Sequence, residues 1–151
     1  MTQSEYDERI YDSKIPAYSR GFNFRRIAYA YLEPLADKIE LKTPGYLNWV
    51  IAGGQTGPGA KPLHPDWVRS IRDQCLKYEI PFYFKQWGEW LPIDAITEDE
   101  VFPPNGPIGG RFRGKGYRLH TIDGASYYRL GKKSGNLLDG RKWEQFPEAK
   151  P

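Results

Sequence analysis

Three short stretches of this 151-residue sequence hold the side chains with the most chemistry. Glu33 closes "YAYLE", the glycine-rich "GGQTGPG" runs from Gly53 to Gly59 around Gln55, and "FKQWGEW" carries Lys85, Gln86 and Glu89 between Phe84 and Trp90. If each stretch ends a parallel strand, a carboxylate, an amide and an ammonium converge at the carboxyl end of one sheet, where parallel α/β folds hold ligands. Two readings fit. Either Glu33 and Lys85 pair to shield the strand ends, or they join Gly53, Gly54, Gln55, Gly57 and Trp87 in a ligand site. Backbone N–H groups around Gly53, Gly54, Gly57 and Gly59, just ahead of a helix N-terminus, can hold an anion or a nucleotide edge; the same glycines also suit a tight turn. The loop has neither the G-K-[ST] closure of a phosphate-binding loop nor a G-x-G-x-x-G fingerprint. Trp87 and Trp90 can wall a planar ligand or cap the core of the sheet.

A fourth stretch is basic. "RFRGKGYRLH" interleaves Arg111, Arg113, Lys115 and Arg118 with Phe112 and Tyr117, a pattern suited to phosphate contacts plus base stacking, with a solvated basic surface as the alternative. Residues 106–151 hold ten Lys/Arg against four Asp/Glu, a balance of +6, which within an overall +3 leaves −3 for residues 1–105. One cysteine, Cys75, excludes an intrachain disulfide, and two histidines complete a set too poor for a structural zinc site.

The elements that must position these groups are legible in the apolar patterning. "RRIAYAYLEPL" reads as a buried strand stopped by Pro34, "YLNWVIAGG" as a second strand ending at Gly53, and "IPFYFKQW" as a third. Between the last two, Pro65 suits a first helical position and Asp66 the positive end of the helix dipole. Trp67, Val68, Ile71, Cys75 and Tyr78 follow at spacings of three and four on one face. The unit is β-loop-α-β, so its strands are expected to be parallel with a right-handed crossover. A short helix up to Ile15 is expected before it. "TEDEVFPPNGPIGG" passes from acidic to Pro/Gly-rich and reads as an exposed loop. Asp123-Gly124 marks a hairpin in "YRLHTIDGASYYRL", and Trp143 and Phe146 are placed to anchor a turn-rich tail. The expected organisation is one domain: an α/β core over residues 1–96, a loop over 97–110, and a basic hairpin and tail over 111–151. No apolar stretch is long enough to span a membrane and no signal-peptide pattern opens the chain, which gives an expectation of a cytoplasmic protein.

"YLNWVIAGGQTGPGAKPLHPDWVRSIRDQC", then "IPFYFKQWGEW" and "YRLGKKSGNLLDGRKWEQFP", closely resemble the phage gene-product thirty-seven/sixty-eight family of phages and bacteria, from Arg26 to Pro147. "YAYLEPL" is similar to the family's strand ending in Glu-Pro-Leu. The resemblance implies a radical-SAM-like partial barrel akin to the spore photoproduct lyase group, with an iron–sulfur cluster and S-adenosylmethionine in full-length members. In those members an N-terminal half carries a Trp-Asn-Pro segment and a cysteine cluster ending in Cys-Tyr-Ala; the match is to the C-terminal half alone. Where the family reads Gly-Gly-Glu-Ser-Gly-Pro-Gly, Gln55 replaces the carboxylate, which removes a base and a cation partner while keeping hydrogen bonding. Such a cluster needs three thiolates, and Cys75, on an apolar helix face, reads as a small core residue.

These readings give an α/β protein with a partial parallel barrel or open sheet of about three strands and a C-terminal antiparallel hairpin. The expected function is a non-catalytic phage-type binding or accessory protein in a bacterial host, acting on a protein or nucleic-acid partner, for example by inhibiting a host defence complex. The alternative is the C-terminal subunit of a split radical-SAM-like enzyme whose cysteines lie on another chain. No cofactor of its own is expected beyond an S-adenosylmethionine-like ligand, and no metal. Three parallel strands cut from a larger barrel expose an edge, so a protein partner, most simply a second copy in a homodimer, is expected to cover it.

Overall fold

The computed structural model describes residues 1–6, 29–42, 47–93, 119–130 and 134–148. Residues 3–6 are helical; the rest of the expected N-terminal helix, the loop over 97–110 and the basic quartet Arg111, Arg113, Lys115 and Arg118 lie outside the described residues. Strands β1 (Tyr29–Leu32), β2 (Trp49–Gly53) and β3 (Phe82–Gln86) form an open sheet in the order β1-β2-β3, parallel throughout, with helix α1 (Pro65–Lys77) connecting the last two.

The helix forms where the sequence places it. His64 is the N-cap, its Nδ1 accepting the Asp66 N–H at 3.2 Å, and Pro65 takes a first-turn position where no N–H is missed. Its apolar stripe is shorter than expected. Tyr78 leaves helical geometry as the C-cap and stays exposed, with the Lys77 ammonium 5.1 Å from its ring centre, so the buried face consists of Pro65, Val68, Ile71 and Cys75. That face shares one core with Ala30, Leu32, Val50, Ala52, Phe82 and Phe84 from alternate positions of the three strands. Each of the Val, Leu, Ile and Phe side chains among them contributes about 1.5–3 kcal/mol by leaving water. Gln74 fastens the β1–β2 connection to the helix: its amide donates to the Ile39 carbonyl at 2.9 Å and accepts the Leu41 N–H at 2.7 Å.

The strands are not buried on both faces, as their apolar runs suggested. β1 alternates exposed and buried, and Trp49, Ile51 and Tyr83 on the other two strands are only half-buried. Helix α1 covers one face of the sheet; the other carries aromatic side chains open to solvent.

A second sheet has the order β4-β6-β5, antiparallel, from Trp90–Pro92, Ala125–Arg129 and Leu119–Ile122 respectively. The Asp123-Gly124 hairpin is present, with φ of 50° and 81° at its two central residues, as a two-residue primed turn demands. It is not isolated: β4, which the sequence did not announce, pairs with β6. Asp139-Gly140, with φ of 51° and 72°, repeats the device between β7 (Leu137–Leu138) and β8 (Arg141–Lys142).

The tail closes one edge of the parallel sheet. Tyr83 bridges Glu144 in antiparallel fashion, the Phe84 N–H donates to the Trp143 carbonyl at 2.7 Å, and the Gln145 N–H donates to the Phe82 carbonyl at 3.1 Å. Trp143 is buried against Phe82, with the Arg141 and Arg72 guanidinium groups 4.3 and 5.6 Å from its ring. The expected exposed edge is therefore not at β3; along the outer side of β1 no strand pairs among the described residues.

Asp139 ties this tail to α1 through Arg72 and through Arg69 Nη2 at 2.8 Å. Burial by itself would raise the Asp139 carboxyl, but hydrogen bonds and charge from Arg69 and Arg72 outweigh it and hold the group below its ordinary value. A carboxylate depressed in the folded state contributes stability above its unfolded pKa and loses it as pH falls through the folded one. Solvent screening at this partly exposed site limits the contribution to about 1 kcal/mol. Asp139→Asn is therefore expected to lower the urea midpoint at neutral pH, with the gap to the wild type closing below about pH 4. A gap unchanged at acid pH would show that charge is not the cause.

Candidate functional site

The strand-end groups do converge. Glu33 follows β1, Gly53 ends β2 and Lys85 lies near the end of β3, all on the face away from α1. Lys85 Nζ is 3.0 Å from Glu33 Oε2, the Tyr31 hydroxyl donates to the same oxygen at 2.7 Å, and the Gln86 amide donates to Oε1 at 3.3 Å. Lys85 also donates to the Tyr31 hydroxyl at 3.0 Å, and the hydrogen bonds to Tyr31 and Glu33 raise its pKa above the usual lysine range. A lysine shifted upward stays charged, so it is neither a base nor a nucleophile at neutral pH. Glu33 and Lys85 form the shielding ion pair. One acceptor in the cluster lacks a partner: Gln86 Oε1 is buried without a hydrogen bond, while its amide nitrogen is spent on Glu33 and on the Gly54 carbonyl at 2.9 Å.

The glycine loop is locked into its surroundings. A Cβ at Gly54 would lie 2.0 Å from the Trp87 carbonyl oxygen, and one at Gly88 would lie 2.2 Å from that of Gln55, so these glycines let two strand-end loops touch backbone to backbone. A Cβ at Gly53 would crowd Glu33 Oε2 at 3.1 Å. Gly57 and Gly59 have φ of 92° and 75° and face open space, as turn residues do. The Gln55 side chain accepts the Lys61 N–H at 3.1 Å and its carbonyl accepts the Glu89 N–H at 3.1 Å. The Glu89 carboxylate accepts the Gly57 N–H at 2.9 Å, standing where a bound anion would have to stand. The tight-turn reading is the one this geometry supports.

Of the two indoles, Trp87 caps the core. It is 0% exposed, packs edge-on against Phe84 at 4.8 Å and donates to the Leu137 carbonyl at 2.8 Å, so no face of its ring meets a ligand. Trp90 pins the loop by donating to the Ala60 carbonyl at 2.8 Å and carries the Arg129 guanidinium 5.5 Å from its ring centre.

Sequence reasoning missed the open sheet face. Tyr29 pairs in register with Trp49, and Tyr31 with Ile51 and then Tyr83, giving two rows of side chains below the Glu33–Gly53–Lys85 end. Tyr29 is 62% exposed, Tyr31 40% and Phe146 61%. Trp49, Tyr83 and Phe146 form a cluster with ring centres 5.3 to 6.2 Å apart, and the Trp49 indole donates to the Gln145 carbonyl at 2.9 Å. Phe146 thus anchors the tail across this face rather than in the core. The available signal was the two tyrosines at alternate positions of "YAYL" and the tyrosine of "FYFK", hidden because their neighbours are apolar too.

The residues present do not fit an iron–sulfur cluster: Cys75 is buried, and burial pushes its thiol up to about 12, far from the thiolate such a cluster requires. Among the described residues no group of His, Cys, Asp and Glu could hold a metal ion, and no helix is long and apolar enough to cross a membrane. No curated protein and no solved structure matches the chain. A model of the family described as "Protein of unknown function (DUF5131)" matches residues 6–147, and the chain belongs to that family.

Proposed function

We propose that this chain is a non-catalytic binding module, related to the phage gene-product thirty-seven/sixty-eight family and derived from a radical-SAM-like fold, that acts on a protein or nucleic-acid partner. One form of that role is inhibition of a host defence complex in an infected bacterium. The observation that carries the reading is a contrast on one sheet face. At its polar end the charged groups are paired internally, Glu33 with Lys85, Tyr31 and Gln86, whereas Tyr29, Tyr31 and Phe146 beside it are exposed. Chemistry needs a group left poised for proton or electron transfer, and binding needs accessible surface; the second is what this face offers.

The unpartnered Gln86 Oε1 favours a second reading, in which the strand ends still accept the amine of an S-adenosylmethionine-like ligand within a split enzyme. Anaerobic reconstitution with iron and sulfide tests both. The binding module stays colourless and leaves S-adenosylmethionine intact. A stoichiometric visible charge-transfer band from this chain alone would contradict the proposal, and a band that appears only with a second, cysteine-bearing chain would establish the split enzyme.

A further inference from the structure

We infer that Asp123-Gly124, at the tip of the β5–β6 hairpin, is a site of spontaneous isoaspartate formation, and that Asp139-Gly140 is its protected counterpart. The site goes beyond the binding-module reading and does not depend on it. In an Asp-Gly sequence the glycine nitrogen attacks the aspartyl Cγ, since no side chain on the glycine obstructs the approach. A C–N bond forms, the carboxyl loses a hydroxyl and the nitrogen a proton as water, and a cyclic imide results. Water then opens the ring at either carbonyl. The product is aspartate again or isoaspartate, whose main chain runs through the former side chain. Water is the only co-reactant, released in the first step and returned in the second.

The two turns match in backbone and differ in what holds them. Each joins a pair of strand ends, Ile122 with Ala125 and Leu138 with Arg141, with the aspartate at φ of 50° or 51° and the glycine at 81° or 72°. Both aspartates are exposed. Arg69 donates to Asp139 Oδ1 from Nε at 3.0 Å and from Nη2 at 2.8 Å, and Arg72 Nη1 donates to Oδ2. Cyclisation there has to strip several charge-assisted bonds from a carboxylate that the arginines keep ionised, and an ionised carboxylate expels its oxygen poorly.

The Asp123 carboxylate has no partner among the described residues, and a Cβ at Gly124 would meet nothing within 4 Å, so the turn has room to rotate. Asp123 is held at its main chain instead. His64 Nδ1 accepts the Asp66 N–H, so the neutral ring carries its proton on Nε2 and donates it to the Asp123 carbonyl at 3.3 Å. Rotation of the Asp123–Gly124 peptide into attack geometry swings that carbonyl away from the imidazole. His64 is therefore a latch, one long neutral hydrogen bond against the several charged ones at Asp139. Isoaspartate adds a methylene to the main chain between two paired strands, which loosens the hairpin and frees it from the helix N-terminus.

Peptide mapping by mass spectrometry, after the whole chain has aged for weeks in oxygen-18 water, tests the inference, with the urea-unfolded chain aged alongside. Each ring opening leaves a heavy oxygen at the converted residue, and electron-transfer fragmentation separates isoaspartate from aspartate. The expected result for the folded chain is conversion about tenfold faster at Asp123 than at Asp139, with the two rates converging in urea, where only the shared Asp-Gly sequence remains. His64→Ser, which keeps a helix N-cap but cannot reach the hairpin, is expected to speed conversion at Asp123 about threefold and to leave Asp139 unchanged. Arg69→Gln combined with Arg72→Gln is expected to bring Asp139 up to the Asp123 rate. Equal rates in the folded chain, or faster conversion of Asp139, would overturn the inference, as would an Asp123 that stays unlabelled while the unfolded chain is converted. A His64→Ser chain that ages no faster at Asp123 would overturn the latch.

Discussion

Gly54→Ala is expected to destabilise the fold by about 3 kcal/mol and Gly88→Ala by about 4 kcal/mol, while Gly57→Ala is expected to cost only about 1 kcal/mol. The ordering follows from what the new methyl group meets. At Gly54 it would lie 2.0 Å from the Trp87 carbonyl oxygen and 2.5 Å from its carbon, and backbone cannot swing aside as a side chain can. At Gly88 the steric clash with the Gln55 backbone adds to a φ of 88°, which an L side chain adopts only under strain. At Gly57 the conformation is equally left-handed but nothing lies within 4 Å, so only the intrinsic strain remains. Urea unfolding of the three variants reads the differences directly. A ligand-cradling loop would give another pattern: near-native stability for all three and loss of binding instead. Equal, small shifts would therefore refute the account of this loop as a packed junction between two strand ends.

Trp87→Ala comes next, with an expected loss of about 3–5 kcal/mol. The indole is fully buried, fills the space beside Phe84 and spends its N–H on the Leu137 carbonyl, so truncation opens a cavity and leaves that carbonyl without its donor. Because Leu137 belongs to the tail, the damage spreads from the parallel sheet to the segment that covers β3. Trp90→Ala is the comparison: that ring is only half-buried, and its loss is expected to be less than half as large. If Trp87 walled a ligand site, its removal would relieve rather than harm the free protein, and a melting temperature unchanged from the wild type would say so.

The β-loop-α-β unit was legible because its signals are local: apolar runs bounded by Gly and Pro, a Pro at the helix start, and an Asp-Gly turn for the hairpin. The placement of Glu33 and Lys85 at the same end of the sheet, on the strands either side of β2, followed from the same boundaries. What closed the cluster did not, since the Tyr31 and Gln86 hydrogen bonds depend on strand register, which two apolar faces leave unspecified. The open face was hidden for a related reason. Tyr, Trp and Ile at alternate positions look the same whether a second layer covers them or not, and only the packing of α1 on the opposite face decides. β4 is three residues long and ends in Pro92, too short for any periodicity to show. The Asp139 clamp joins residues 67 and 70 positions apart, beyond the reach of local patterning.

Hydroxyl-radical footprinting of the free chain tests the central claim that the sheet face is open and available to a partner. The account predicts fast oxidation of Tyr29, Tyr31 and Phe146 in the free protein and no reaction at Trp87 or Tyr127, which are buried. Slow oxidation of Tyr29, Tyr31 and Phe146 in the free chain would mean that the face is already covered, and would contradict it.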